Sequence, residues 1–195
     1  MAYNAIDIAK KIVCRTDVEH GDTISNLKLQ KLLYYMQGFH LALFDAPFFN
    51  EPIEAWTYGP VVQVVFREFK RYQNRAINPE NYHDELVLTG EEQLMFDRVY
   101  DKYNRFSAVA LMQMTHNEGP WKSHDIGEVI ANDELRTYFL TQINPDEPFP
   151  PCVRSREEMI ALCDQRMEDI LSGRAPTLPH NEVMHRMKEK HGLAL

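Results

Sequence analysis

The chain has 195 residues, of which 44% are hydrophobic and 11% aromatic, and this composition supplies a core and excludes disorder along the whole length. Its 21 basic and 29 acidic residues give a net charge of −8. That charge argues against a general nucleic-acid binder, because such a protein needs basic residues to displace counterions from phosphates.

The cysteines and the apolar segments indicate the cellular compartment in which we expect the protein. Three cysteines are too few and too scattered for a disulfide framework, and none forms the CxxC pair of a zinc ribbon. The N-terminal residues lack the apolar run of a signal peptide, and no stretch approaches the roughly 20 apolar residues of a membrane span. We therefore expect a cytoplasmic protein without a membrane segment.

The first two predicted helices carry the clearest pattern. Asn4 can cap a helix over residues 4–15, and Ser25 can cap the next one. One face of the second helix follows the i, i+3, i+4, i+7 spacing with Leu29, Leu32, Leu33, Met36, Phe39, His40 and Leu43. The other face, which is expected to meet water, holds Lys28, Lys31 and Gln37.

Turn signals divide the middle of the chain. Residues 53–57 predict a short strand, and Gly59-Pro60 predicts a turn with proline at the first position of a new helix. Thr89 and Glu92 form a capping box that opens a further helix, because each side chain accepts a hydrogen bond from the backbone of the other.

The last helices of this region start at Ser107, which can cap the segment AVALMQMTH. That segment is almost entirely apolar and is therefore predicted to be the most buried helix. Gly119-Pro120 ends it, and residues 126–139 form one helix or two short ones. Together these elements predict a mainly α fold, a compact multi-helix domain with at most a short β-strand or hairpin.

Composition divides the chain into a helical domain at 1–143, a proline-rich linker at 144–154 and a helical extension at 155–195. The two helices predicted in the extension are too short to hold in water alone, so they need either the domain or a partner to pack on. Seven of their side chains are predicted to contact a partner: Met159, Cys163, Met167, Ile170, Val183, Met184 and Met187.

Catalytic motifs are missing. The sequence has no GxxxxGK[ST], GxGxxG, GxSxG or HExxH segment. His116 and His124 lie near each other, but they match no metal-ligand spacing across the Gly-Pro break. Tyr34 with Lys28 and Lys31 suits a base-stacking strip, an alternative that the acidic charge disfavours. We predict no enzyme activity, no cofactor and no metal.

Two segments together resemble one known family. Residues 24–70 read ISNLKLQKLLYYMQGFHLALFDAPFFNEPIEAWTYGPVVQVVFREFK, and residues 107–122 read SAVALMQMTHNEGPWK. The combination of KLQKLLYY, AWTYGPVV and THxxxPW is similar to the Panacea domain of SocA-like antitoxins and GepA-type phage-associated proteins. The resemblance covers about residues 5–140, and residues 145–195 have no counterpart in the shared motifs.

The resemblance implies a mostly helical fold without established catalytic activity. It implies an antitoxin of a toxin–antitoxin system, often found in phages or prophages, that neutralises a cognate protein toxin encoded by a neighbouring gene through direct binding. One alternative is a proteolytic adaptor that delivers the toxin to a ClpXP-like cytoplasmic protease. Another is a DNA-binding autoregulator or a phage factor that acts on host proteins.

The shared motifs supply the remaining candidate residues. Leu29, Leu32, Leu33 and Trp56 are assigned to the scaffold. A partner-binding role is the hypothesis for seven others: Lys28, Gln30, Lys31, Tyr34, Tyr58, His116 and Trp121.

Overall fold

A computed structural model describes residues 2–18 and 21–143. The predicted linker at 144–154 and the predicted extension at 155–195 lie outside the described residues. So do the seven partner-binding side chains assigned to the extension, and their role stays a prediction.

Helices dominate the described part of the chain, which confirms the mainly α prediction. The elements in chain order are α1 (Ala5–Cys14), α2 (Asn26–Phe44), β1 (Ile53–Trp56), β2 (Gly59–Val62), α3 (Gln63–Glu68), α4 (Gly90–Asn104), α5 (Ala108–Asn117), α6 (Gly119–Lys122), β3 (Val129–Ile130) and α7 (Asn132–Leu140). The strands form one antiparallel sheet in the order β2-β1-β3. None of the described helices is long and apolar enough to cross a bilayer.

The caps that the sequence predicts are present. The side chains of Asn4, Ser25 and Ser107 accept hydrogen bonds from the first turns of α1, α2 and α5. Thr89 and Glu92 form the reciprocal capping box at the start of α4. Local sequence therefore sets the starts of the long helices, because each cap satisfies a backbone N–H that has no partner inside its helix.

Helix α2 forms the centre of the fold, and every residue from Lys28 to Leu41 is buried. The expectation that Lys28, Lys31 and Gln37 meet water is therefore wrong. Other elements cover the second face of α2 as well as the first, and α7, α4, α5 and β2 all pack against it. A helical spacing identifies an apolar face, but it does not show whether a second layer covers the polar one.

The sheet differs from the prediction in its second and third strands. Gly59 and Pro60 begin β2 instead of a helix, and α3 starts only after Val62. Proline fits there because β2 is an edge strand, so its missing N–H removes no ladder bond from the middle of the sheet. The first part of the helical segment predicted at 126–139 instead contains β3, and α7 follows it.

Helix α5 is also less buried than predicted. Only Leu111 and Thr115 of this helix are buried, and Val109 is 55% exposed. The apolar composition of α5 thus reflects a narrow contact stripe on α2 together with exposed small and aliphatic side chains, and α2 is the most buried helix of the described residues.

The contact between α2 and α7 is the closest helix packing around this centre. Gly38 on α2 lies directly against the ring of Phe139 on α7, where a Cβ atom would overlap the ring. The same ring makes edge contacts with Tyr34 at 5.4 Å and with Phe39 at 4.9 Å between centroids. A glycine at position 38 therefore allows the aromatic core to close between the two helices.

We expect Gly38→Ala to lower the free energy of unfolding by about 1–3 kcal/mol, because the added methyl group overpacks this contact. The matched control is Gly90→Ala, since nothing lies within 4 Å of a Cβ atom there. Alanine at this helical position should keep or raise stability, by up to about 1 kcal/mol. Urea unfolding followed by circular dichroism measures both, and an equal effect of the two substitutions would contradict the packing argument.

Candidate functional site

The hairpin formed by β1 and β2 is fixed to α2 by buried polar side chains. Gln30 Oε1 accepts a hydrogen bond from Val62 N at 2.9 Å, and Lys31 Nζ donates to Pro60 O at 2.9 Å. Both side chains are almost completely buried. Because buried polar atoms without partners are costly, these bonds set the position of β2 on the helix.

A second brace holds the hairpin from the side of α5 and α6. Trp121 Nε1 donates to Trp56 O at 3.0 Å, next to the two-residue connection between the strands. The imidazole of His116 stacks on the Trp121 indole, with ring centroids 3.9 Å apart and planes inclined by 14°. The two residues therefore act together as a support for the end of β1.

Gly59 allows the hairpin to approach α2 this closely. Its φ of +95° lies in the region that favours glycine, and a Cβ atom there would lie 2.7 Å from Lys31 Nζ. The same Cβ atom would lie 2.8 Å from Thr115 Oγ1. Helices α2 and α5 therefore contact the hairpin at Gly59, where no side chain keeps them apart.

Lys31 is a buried amine beneath this turn. Among the described residues no carboxylate lies within ion-pair distance of Nζ, and burial lowers the pKa of Lys31 to about 7. A neutral amine at pH values above 7 can still donate its hydrogen bond to Pro60 O. Burial, followed by the charge of Lys31, also lowers the pKa of His116.

A buried carboxyl group lies next to the same support. Tyr35 donates a hydrogen bond to Glu118 Oε1 at 2.9 Å. Burial raises the pKa of Glu118, while the hydroxyl groups of Tyr34 and Tyr35 act in the opposite direction. Glu118 is also the N-cap residue of α6, where its backbone carbonyl accepts a hydrogen bond from Lys122 N at 3.1 Å.

A groove of about 730 Å³ opens between the hairpin and the start of α2, and we call it the hairpin groove. Its apolar wall consists of Leu27, Trp56, Tyr58, Val61, Phe66 and Ile126. Its remaining lining residues are Asn26, Gln30, Thr57, Gln73, Asn74 and Gly127. None of these lining residues has a charged side chain.

The groove contains aromatic and aliphatic side chains that the rest of the described chain does not cover. Tyr58 is 66% exposed and Ile126 is 61% exposed. Trp56 and Phe66 meet edge to face behind them, with centroids 5.1 Å apart. A concave, mainly apolar surface with fixed walls is typical of a binding site. In residues 2–18 and 21–143, no three His, Cys, Asp or Glu side chains converge as metal ligands.

The structure places the seven candidate residues of the shared motifs in the groove, behind the hairpin and at two further positions. Gln30 and Tyr58 line the hairpin groove, while Lys31, His116 and Trp121 hold the hairpin in position. Lys28 and Tyr34 lie elsewhere. The partner-binding role of all seven stays a prediction, but Tyr58 is the exposed member of the set.

Lys28 and Tyr34 occupy separate buried positions. Lys28 Nζ donates to Asn104 O at 2.6 Å and lies 3.6 Å from Asp22 Oδ1, so it ties α2 to the end of α4. Tyr34 is fully buried among aromatic rings of the core. Neither side chain reaches the hairpin groove.

Sequence reasoning missed several groove residues. Leu27 precedes the apolar face of α2, and Phe66 lies in the helix that was predicted to follow Gly59-Pro60, where it was given no binding role. Ile126 was assigned to a helix, although Gly127 beside it has a φ of +96° and pairs with Ala55. In the sequence, the only signal at this position is a large aliphatic residue, Ile126, before a glycine. That pattern does not indicate which distant segment Ile126 contacts.

Comparison with known proteins finds similarity to one family. Residues 29–122 match the sequence model of a family described as antitoxin SocA-like, Panacea domain. Antitoxin SocA of Caulobacter vibrioides (strain NA1000 / CB15N) is 36% identical over 120 residues, which is 56% of this chain and 61% of that protein. The match thus spans less than two thirds of the relative's length. No solved structure matches the chain.

The buried amine gives a pH prediction. Between the pKa of about 7 in the folded state and the ordinary value of 10.5, the unfolded chain binds the additional proton. The free energy of unfolding should therefore rise with pH in this window through Lys31, by at most about 1.4 kcal/mol per unit. Lys31→Met should remove that contribution, so the stability of the wild type relative to this variant should grow between pH 7 and 9.

Urea unfolding at pH 7, 8 and 9 measures this difference. Lys122→Met on α6 is the control, because Lys122 is exposed and its replacement should leave the slope with pH unchanged. Parallel stability curves for wild type and Lys31→Met would show that the buried amine is already charged in the folded protein.

Proposed function

We propose that this chain, whose residues 29–122 belong to the SocA-like Panacea family, is an antitoxin that neutralises a cognate protein toxin by direct binding. The match to that family and to a relative named as an antitoxin carries the proposal. The match covers 56% of this chain and 61% of the relative. The relative's partner therefore does not identify the toxin of this chain, which has to be found by experiment.

The geometry supports binding in preference to catalysis. The hairpin groove has fixed walls, exposed aromatic and aliphatic side chains, and no charged lining residue. The buried titratable groups Lys31 and Glu118 already have partners, because Lys31 donates to Pro60 O and Glu118 accepts from Tyr35. We therefore propose a cytoplasmic protein that acts without an enzymatic step, a cofactor or a metal.

Direct sequestration is the mechanism that we propose over delivery to a protease. In sequestration the toxin stays intact and inactive in a complex, whereas delivery shortens its lifetime. The net charge of −8 disfavours a role as a DNA-binding autoregulator.

Co-expression with the protein encoded by the neighbouring gene tests the proposal. We expect that protein to stop growth when expressed alone, and this chain to restore growth and to co-purify with it. Immunoblots should show an unchanged toxin half-life. A harmless neighbour, or growth arrest that persists with this chain present, would contradict the antitoxin role, and a shortened half-life would contradict sequestration.

The extension is predicted to add contacts of its own. We expect the full chain with Met167→Ser and Met184→Ser to rescue growth less well, because methionine side chains at an interface contribute apolar contact that serine lacks. The control is the exposed Leu94→Ser in α4, which is 44% exposed and lies in the domain. Rescue by the double variant at wild-type level would place recognition outside these two methionines.

A further inference from the structure

We propose that the hairpin groove receives an uncharged, apolar peptide segment of the toxin, flanked by basic residues that pair with Glu54 and Glu128. This inference rests on the proposed function and assigns its binding site. The volume of about 730 Å³ falls in the range of about 300–1,000 Å³ that is typical of binding clefts.

The apolar character of the occupant follows from the lining. Tyr58 and Ile126 both line the groove and are both more than half exposed. Trp56, Phe66 and Leu27 form the wall between them. Large side chains of this kind, gathered in one concavity, lose water-exposed area when an apolar segment enters, which is the main source of affinity at such sites.

The absence of charge from the occupant follows from the polar groups of the lining. Gln30 Nε2 donates to Asn26 Oδ1 at 3.0 Å, and Gln30 Oε1 accepts from Val62 N. Asn26 Nδ2 donates to Phe66 O at 3.1 Å. These amides already have partners, so a charged group entering the groove would lose its water without gaining a counter-ion.

The basic flank follows from the rim. Glu54 Oε2 accepts a hydrogen bond from Trp56 Nε1 at 2.8 Å, which holds a carboxylate beside the wall of the groove. Glu128 is exposed next to Gly127, and its Oε2 accepts from the backbone of Asp125. Each of these carboxylates thus adjoins a lining residue, and lysine or arginine beside the apolar segment would complement them.

The groove is built before its occupant arrives. Gln30, Lys31 and Trp121 hold the two strands of the hairpin, and Gly127 N donates to Ala55 O at 2.7 Å on the other side. Little conformational freedom of the backbone is left to lose on binding. This reduces the entropic cost that a flexible loop would have to meet.

The test uses the full chain and the toxin that it neutralises in co-expression. We expect Tyr58→Ser combined with Ile126→Ser to weaken binding, so that the dissociation constant measured by isothermal titration calorimetry rises at least about tenfold. The control combines Val18→Ser with Val87→Ser, because these side chains are 53% and 84% exposed and neither lines the groove. Thermal unfolding checks that both double variants fold.

Each outcome separates the inference from the function. If the groove variant binds as wild type does, or the control weakens binding equally, the groove inference is overturned while the antitoxin role stands. If the wild-type chain neutralises no neighbouring toxin, both fall together. Loss of binding confined to the groove variant supports both.

Hydrogen exchange gives a readout that does not depend on substitution. In the complex we expect the backbone amides of residues 57–58 and 126–127 to exchange more slowly than in the free protein. Protection of these residues in the free protein that grows with concentration would assign the groove to a second copy of the chain. Protection in the free protein that is independent of concentration would assign it to other residues of the same chain, and either result overturns the inference.

The acidic rim has its own measurement. We expect Glu54→Gln combined with Glu128→Gln to slow association several-fold at low salt and to flatten the salt dependence of the association rate. An association rate that does not change would contradict the basic flank while leaving the apolar segment in place.

Discussion

Burial of α2 from Lys28 to Leu41 is the constraint from which the rest of the fold follows. Polar side chains on a helix that meets no water need partners inside the protein, and for Gln30, Lys31 and Gln37 these partners include backbone groups of non-helical segments. Gln37 binds the backbone at Phe48 and Phe49, while Gln30 and Lys31 bind β2. The central helix thus organises the hairpin and the loop before it through amide and amine groups as well as through apolar contacts.

Local rules predicted the local features. The caps of α1, α2, α4 and α5 are short-range hydrogen bonds, so the residue types at fixed spacing were sufficient to identify them. The burial of Lys31, the strand at Gly59 and the exposure of Val109 depend on which elements meet across the fold. Such features are set by tertiary contacts, and the spacing of apolar residues within one helix does not show which other elements will pack against it.

The candidate site shows the same division. The sequence predicted the strand at 53–57 and included Tyr58 and Gln30 among the candidates, but it placed a helix where the second strand of the hairpin lies. Ile126 and Leu27 could not be assigned, because they reach the groove from segments that are distant in sequence from the hairpin. The lining comes from four separate parts of the chain, and the sheet order β2-β1-β3 is needed to bring two of them together.

The buried attachment of the hairpin separates stability from recognition. Lys31, Gln30 and Trp121 hold the hairpin by hydrogen bonds to its backbone. The side chain of Tyr58, in contrast, makes no hydrogen bond to any described residue. The side chains at the tip are therefore open to replacement at little cost to the core. A scaffold with this property can diversify its partners over evolutionary time through a few surface changes, while its centre stays fixed by packing.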